Sequence, residues 1–161
     1  MLTLHTYFRS SASYRVRIAL ELKALMYEPI PVHLVRGGGE QHSTAFAALS
    51  PAELVPVLGH DGFTLTQSLA IIEYLEETHP EPALLPKDAA GRARVRAIAQ
   101  TVACEIHPIN NLRVLRYLEL QLGVAADART AWYRHWVALG FDAIERLLRD
   151  ADRGNRIFSA E

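Results

Sequence analysis

The strongest constraint in this chain is a change of pattern between residues 81 and 86. Before it, short apolar runs alternate with one-sided helical stretches, whereas after it the apolar residues recur at helical spacing alone. The first half must therefore build a sheet covered by helices, and the second can only pack helix on helix. Residues 2–7 read as a buried strand. Residues 13–25 read as a helix carrying Val16, Ile18, Ala19, Leu20, Leu22 and Leu25. In 27–34, Ile30 and Val32 share an alternating face, while Pro29 and Pro31 restrict the segment to an edge or irregular strand. A Gly-rich loop at 36–40 leads to a short helix at 44–49. Runs at 55–58 and 63–65 flank His60-Asp61-Gly62, a strong hairpin signal. A helix at 68–78, in which Leu69, Ile72 and Leu75, or Leu69, Ile72 and Glu76, sort the faces, stops before Pro80. The order is βαβαββα.

The Pro-bounded connector at 81–86 also divides the charge. Residues 1–85 carry 5 Lys+Arg and 9 Asp+Glu (net −4), and residues 86–161 carry 12 and 9 (net +3), which the formal total of −1 conceals. Two domains are expected, 1–83 and 87–161. In the second, Val95, Ile98, Val102, Ile106, Leu112, Leu115, Leu118 and Leu122 predict one long helix from 90 to about 122, bent where Pro108 frees the carbonyl of Cys104. A further helix over 127–150 carries Trp132, Trp136, Leu139, Ala143, Ile144, Leu147 and Leu148 as a stripe. Two helices leave apolar faces uncovered, and the tail from Arg156 shows no cap. The all-helical domain is therefore expected to be incomplete, and the chain a truncated form of a longer protein.

The 161 residues, 50% hydrophobic and 22% charged, have an ordinary globular composition. No apolar run reaches the roughly 18 residues of a membrane span, and no signal-peptide pattern opens the chain, so a cytoplasmic location is expected. The single cysteine, Cys104, excludes a disulfide framework and any Cys-x-x-Cys redox motif; on its apolar helix stretch it reads as a small buried thiol. The seven histidines show no ligand-like pair, so no metal is assigned. The arginines at 92, 94, 96, 113, 116, 129 and 134 lack aromatic interleaving, which favours a solvated face over nucleic-acid binding.

Three segments ask for a ligand. Arg9-Ser10-Ser11-Ala12-Ser13-Tyr14-Arg15 follows a strand and opens a helix, so free N–H groups, the positive end of the dipole and hydroxyls favour an anion there; simple capping is the alternative. Leu54-Val55-Pro56 precedes a short strand, where a cis proline would turn the Val55 N–H and C=O outward to pair with an extended peptide; a trans proline at an edge strand is the alternative. At Thr66-Gln67-Ser68, Ser68 either caps the next helix or binds a carboxylate, with Gln67 orienting it. All three fall at one edge of one small sheet domain, which suits an elongated, anionic, peptide-like molecule.

Tyr7-Phe8-Arg9-Ser10-Ser11-Ala12-Ser13-Tyr14-Arg15-Val16-Arg17-Ile18-Ala19-Leu20 resembles the signature of zeta-class glutathione transferases, the maleylacetoacetate and maleylpyruvate isomerases. The resemblance continues in order through Leu54-Val55-Pro56, Gln67-Ser68-Leu69-Ala70-Ile71-Ile72-Glu73-Tyr74-Leu75-Glu76-Glu77 and Ile106-His107-Pro108-Ile109-Asn110-Asn111. It implies an α/β thioredoxin-like N-terminal domain, an all-α C-terminal domain, a homodimer, and members longer than this chain. It further implies that Ser10, with Ser11 beside it, hydrogen-bonds the glutathione sulfur, that Val55 clamps the cysteinyl unit, that Gln67 and Ser68 take the γ-glutamyl end, and that Gln41 contacts the glycine end. His107 and Asn111 match glutathione positions of the second domain, and Arg9 and Arg113 match positions that hold substrate carboxylates.

One departure stands out: many zeta members have cysteine where this chain has Ala12. That excludes thiol chemistry by the protein at this position and leaves a reaction whose sulfur comes from glutathione. The expected activity is glutathione-dependent cis–trans isomerisation of a maleyl dicarboxylate in tyrosine or aromatic breakdown. Conjugation or dehalogenation of small electrophilic acids, and a non-catalytic binding module of the same fold, are the alternatives.

Overall fold

A computed structural model describes residues 1–152, and the chain divides into two compact units, Met1–Leu84 and Leu85–Glu161. The uncapped tail expected from Arg156 lies outside the described residues.

The first unit runs β1 (Leu2–Thr6), α1 (Ser11–Leu22), β2 (Tyr27–Pro31), α2 (Thr44–Leu49), β3 (Val57–His60), β4 (Phe63–Thr66) and α3 (Ser68–Thr78). These strands form one mixed sheet in the order β2-β1-β3-β4, with β1 parallel to β2 and the other neighbours antiparallel. The proline-bearing β2 is an edge strand, where a missing N–H costs no ladder bond. Asp61 and Gly62, both at positive φ, make the two-residue turn that matches the twist of β3 and β4. One sheet face buries Leu2, Leu4 and Leu58 against Val16 and Leu20 of α1 and Ile71 and Leu75 of α3. The other packs Tyr7, Val32, Val55 and Val57 with Phe46 of α2.

The bounds of α1 and the face of α3 differ from the sequence expectation, and the strands expected over 27–34 and 55–58 occupy Tyr27–Pro31 and Val57–His60. Helix α1 occupies Ser11–Leu22 rather than 13–25. Ser10 caps it by accepting from the Ser13 N–H at 3.1 Å, and Ala24, in the left-handed region, ends it, with the Leu25 N–H closing on the Leu20 carbonyl. On α3 the buried residues are Ser68, Ile71 and Leu75; Leu69 and Ile72 are half-buried, so the apolar face is rotated by one position. Glu76 lies against Lys23, whose side chain is fully buried at the end of α1. The Lys23 ammonium donates to Glu76 Oε2 at 2.7 Å and to the carbonyls of His79 and Pro82, while the Glu76 carboxylate accepts the Leu84 N–H.

The second unit contains α4 (Ala89–Gln100), α5 (Leu112–Leu120) and α6 (Ala126–Asp152). The single bent helix expected over 90–122 is absent. A π-helical segment, Thr101–Ile106, follows α4, a 3₁₀ turn spans Pro108–Asn110, and Asn111 is extended and caps α5 by accepting from the Arg113 N–H. Pro108 has no N–H to continue the ladder, and the cap-forming Asn111 restarts it, so the chain breaks where a bend was expected. The π segment shifts the helical phase. Ile106 is buried, and Cys104, expected inside, is exposed. Ile106 lies so close to Gly140 of α6 that a Cβ there would fall 2.3 Å from Ile106 Cγ1. Of the α6 stripe, Trp132, Trp136, Ile144 and Leu148 are half-buried, but Leu139, Ala143 and Leu147 are exposed. No described helix is long and apolar enough to cross a membrane.

Candidate active site

Strand register gathers the ligand-seeking segments. His5 of β1 pairs with Val57 of β3, and Val57 pairs with Thr66 of β4, while Thr6 pairs with Pro31 of β2. The chain therefore leaves β1 toward Ser10, enters β3 from Val55-Pro56, leaves β4 toward Gln67 and leaves β2 toward Gln41 at the same end of the sheet. Four separate stretches of sequence meet there because β3 alone runs against the other three strands, so that its start lies beside their ends.

Each segment offers a different kind of partner. Ser10, half-buried, uses a lone pair of its hydroxyl on the Ser13 N–H, which leaves the hydroxyl hydrogen free to donate. Capping and ligand contact are thus compatible in this side chain. Ser11 is exposed at the first helical position, Arg9 is exposed just before it, and Ala12 is buried. The Val55–Pro56 peptide is cis, as the ligand-pairing reading requires, and Val55 is buried with no backbone hydrogen bond to the described residues.

At α3 the expected cap is corrected. Gln67, at φ 69°, is the N-cap and supplies no side-chain bond; Ser68 is the first helical residue and does not cap. The first N–H groups of a helix have no intrahelical partner, so this terminus keeps its donors open beside a positive dipole end. The Ser68 hydroxyl accepts from Arg15 Nη1 at 3.3 Å, which joins the two helix N-termini. The sequence marks Arg15 only as a member of the segment that opens α1. Its place one turn into α1 was the available signal.

Gln41 sits in a 3₁₀ turn, Glu40–His42, and is only 5% exposed. Its Nε2 approaches His42 Nε2 at 2.9 Å and the Leu34 carbonyl at 3.5 Å, while Oε1 is buried with no partner among the described residues. His42 in turn meets Glu53 at 2.5 Å. Burial lowers the pKa of His5, which stands edge-on to Phe46, so its ring favours the neutral form. In the second unit, His107 Nε2 and Asn111 Nδ2 are 3.3 Å apart, and Arg113 is exposed on α5. Among the described residues no three His, Cys, Asp or Glu side chains group to hold a metal.

Residues 4–83 match the family described as glutathione S-transferase, N-terminal domain. A probable maleylacetoacetate isomerase from Vibrio cholerae is 55% identical over 148 residues, covering 92% of this chain and 69% of that protein. A holo structure of maleylpyruvate isomerase, described as a bacterial glutathione S-transferase of the zeta class, superposes with a TM-score of 0.91 at 49% identity, covering 99% of this chain and 74% of that one. This chain belongs to the zeta class of glutathione S-transferases, the maleylacetoacetate/maleylpyruvate isomerase family. A maleylacetoacetate isomerase of Anaeromyxobacter dehalogenans, solved with glutathione in its active site, is 45% identical at a TM-score of 0.79, covering 93% of this chain and 69% of its own. The zeta-class likeness thus extends over both units.

The donor set fits glutathione. A thiolate and two carboxylates need hydrogen-bond donors and positive potential, and its peptide unit needs a backbone partner. The Ser10 hydroxyl, the open terminus of α3 with Arg15 behind it, and Val55 before a cis proline offer these at one end of one sheet.

Proposed function

We propose that this chain is a glutathione-dependent isomerase that converts a maleyl dicarboxylate, maleylacetoacetate or maleylpyruvate, to its fumaryl isomer. The single observation that carries the reading is the convergence of four ligand-ready segments at one end of the sheet in a chain of this family. When bound, glutathione supplies a thiolate that adds reversibly to the carbon–carbon double bond, so that rotation about the resulting single bond can follow. Ser10 donates its free hydroxyl hydrogen to that sulfur and, with the α1 N-terminus, favours the charged form over the thiol. Ser11 stands beside it. Val55 pairs its backbone with the cysteinyl unit, Gln67 and Ser68 hold the γ-glutamyl end, and Gln41 serves the glycine end. Arg9 holds a substrate carboxylate and stabilises the negative charge that develops toward it during addition.

For His107 and Asn111 as glutathione ligands, and for Arg113 as a substrate carboxylate partner, the resemblance alone supports the assignment. The division into a glutathione-binding domain, 1–83, and a helical domain, 87–161, is supported by the change of pattern and charge at 81–86 and by the two compact units, a homodimer by the resemblance, and a cytoplasmic location by the sequence reading above. With Ala12 at this position the protein offers no thiol there, and the proposed chemistry uses the sulfur of glutathione.

The test mixes the purified protein with glutathione and maleylpyruvate or maleylacetoacetate and follows loss of the cis isomer optically while titrating free thiol. Isomerisation with no net loss of glutathione is expected. Stoichiometric thiol consumption would instead establish conjugation or dehalogenation, and glutathione binding without turnover would leave a binding module.

A further inference from the structure

We propose that Arg15 is a positioning residue for the glutathione site: it fixes the Ser68 hydroxyl as a donor and places a positive charge behind it, so that this end of the site selects a carboxylate. The inference rests on the glutathione reading above and goes beyond it by naming the group that prepares Ser68.

A guanidinium has donors and no acceptor, and it stays charged at any pH a folded protein meets. Its contact with Ser68 therefore runs one way, from Arg15 Nη1 to Ser68 Oγ at 3.3 Å. The hydroxyl cannot answer with its own hydrogen, so that hydrogen must point elsewhere. At most N-terminal serines the hydroxyl oxygen is spent on capping its own helix. Ser68 is not the cap of α3, because Gln67 holds that position, and its oxygen is open to Arg15. Ser68 is 7% exposed and Arg15 is half-buried, which keeps both side chains from swinging freely and partly shields their interaction from water.

What results is a buried hydroxyl committed to donating, the unsatisfied N–H groups of the first turn of α3, and a guanidinium charge on the far side of the hydroxyl oxygen. A carboxylate, which only accepts, satisfies all three. A neutral amide or an ammonium does not: the amide gains little from the charge, and the ammonium is repelled by it. The α-carboxylate of the γ-glutamyl residue is the group of glutathione that this arrangement would select. Arg15 would act on it through Ser68 and through its charge, without touching the sulfur, so its loss should fall on affinity and leave the turnover of the saturated enzyme nearly unchanged.

A ligand cycle separates this role from mere structural support. Glutathione and γ-aminobutyryl-cysteinylglycine, which lacks only the glutamyl α-carboxylate, are titrated calorimetrically into the full chain and into its Arg15→Gln, Arg15→Lys and Ser68→Ala variants. Arg15→Gln should weaken glutathione about tenfold and the analogue by less than about twofold, the size expected for loss of one charge-assisted contact. Arg15→Lys, which keeps the charge and a donor, should recover part of the loss. Ser68→Ala should remove most of the further effect of Arg15→Gln when the two are combined. In turnover, Arg15→Gln should raise the KM for glutathione with kcat nearly unchanged. Equal weakening of both ligands, an unaltered affinity for glutathione, or a fall in kcat at unchanged KM would overturn the proposal. A wild-type chain that binds neither ligand would overturn the glutathione reading itself, which is a distinct result.

Discussion

The two units of this chain bury themselves to different degrees. In the first, Leu4, Val16, Leu20, Leu58, Ile71 and Leu75 are almost wholly enclosed between sheet and helices. In the second, only Gly91 and Ile106 are buried among the described residues, and Tyr117, Leu120, Leu139, Phe141 and Leu147 are exposed. A sheet with helices on both faces closes a core over about 80 residues, whereas three helices in sequence present more apolar surface than they cover. A site that depends on convergent strand ends needs the first kind of unit. The second can vary its helical phase, as the π segment at Thr101–Ile106 does, without disturbing a closed core.

The largest effect that this contrast predicts is at Lys23. Lys23→Met strips the Glu76 carboxylate and two backbone carbonyls of a buried ammonium and should cost about 3–5 kcal/mol of unfolding free energy in urea titration. A loss near zero would mean that the first unit is not sealed at its end as described. Leu58→Ala should cost about 2–5 kcal/mol, whereas Leu139→Ala on the exposed face of α6 should stay within about 0.5 kcal/mol. Comparable losses at the two positions would break the comparison. In the helical unit the sensitive position is Gly140→Ala, which must displace Ile106 and should cost about 1–3 kcal/mol by the same titration.

The smallest effect concerns acid. Asp88 caps α4, and the Gly91 N–H that it accepts at 2.7 Å, opposed in part by desolvation, holds its carboxyl below 3.8. A pKa lowered by folding contributes stability that is present above the unfolded value and lost as pH falls through the lower folded one. The melting temperature should therefore decline below about pH 4 a little more steeply in wild type than in Asp88→Asn, which keeps a capping oxygen but does not titrate. An NMR titration of the Asp88 carboxyl at or above its ordinary value would remove the basis for this expectation.

Legibility in the sequence followed the same division. Element types in the first unit could be read because strand alternation, Asp61-Gly62 and the serine at position 10 act locally, within a few residues. The Lys23–Glu76 pair could not: 53 positions separate its members, and nothing in either neighbourhood marks a buried charge. The face of α3 was misjudged for a related reason, since Ser68, Ile71 and Leu75 turn inward toward a sheet assembled from distant strands. In the second unit, one proline could be read either as a bend or as a break. Asn111 tipped it to a break, and the widened turn before Pro108 turned Cys104 outward against the apolar pattern around it. At the site, the segments were visible as motifs, but which helix Ser68 serves, and through which neighbour, became visible only with Arg15 in place.

Trp132 and Trp136 are the only tryptophans in the chain, and both lie on α6, edge to face at 5.7 Å, with the Trp132 indole N–H donating to the Ile109 carbonyl. Intrinsic tryptophan emission from this protein therefore originates in the helical unit. A melt followed by that light is read from α6, and the sheet that gathers the ligand-binding segments needs a probe of its own.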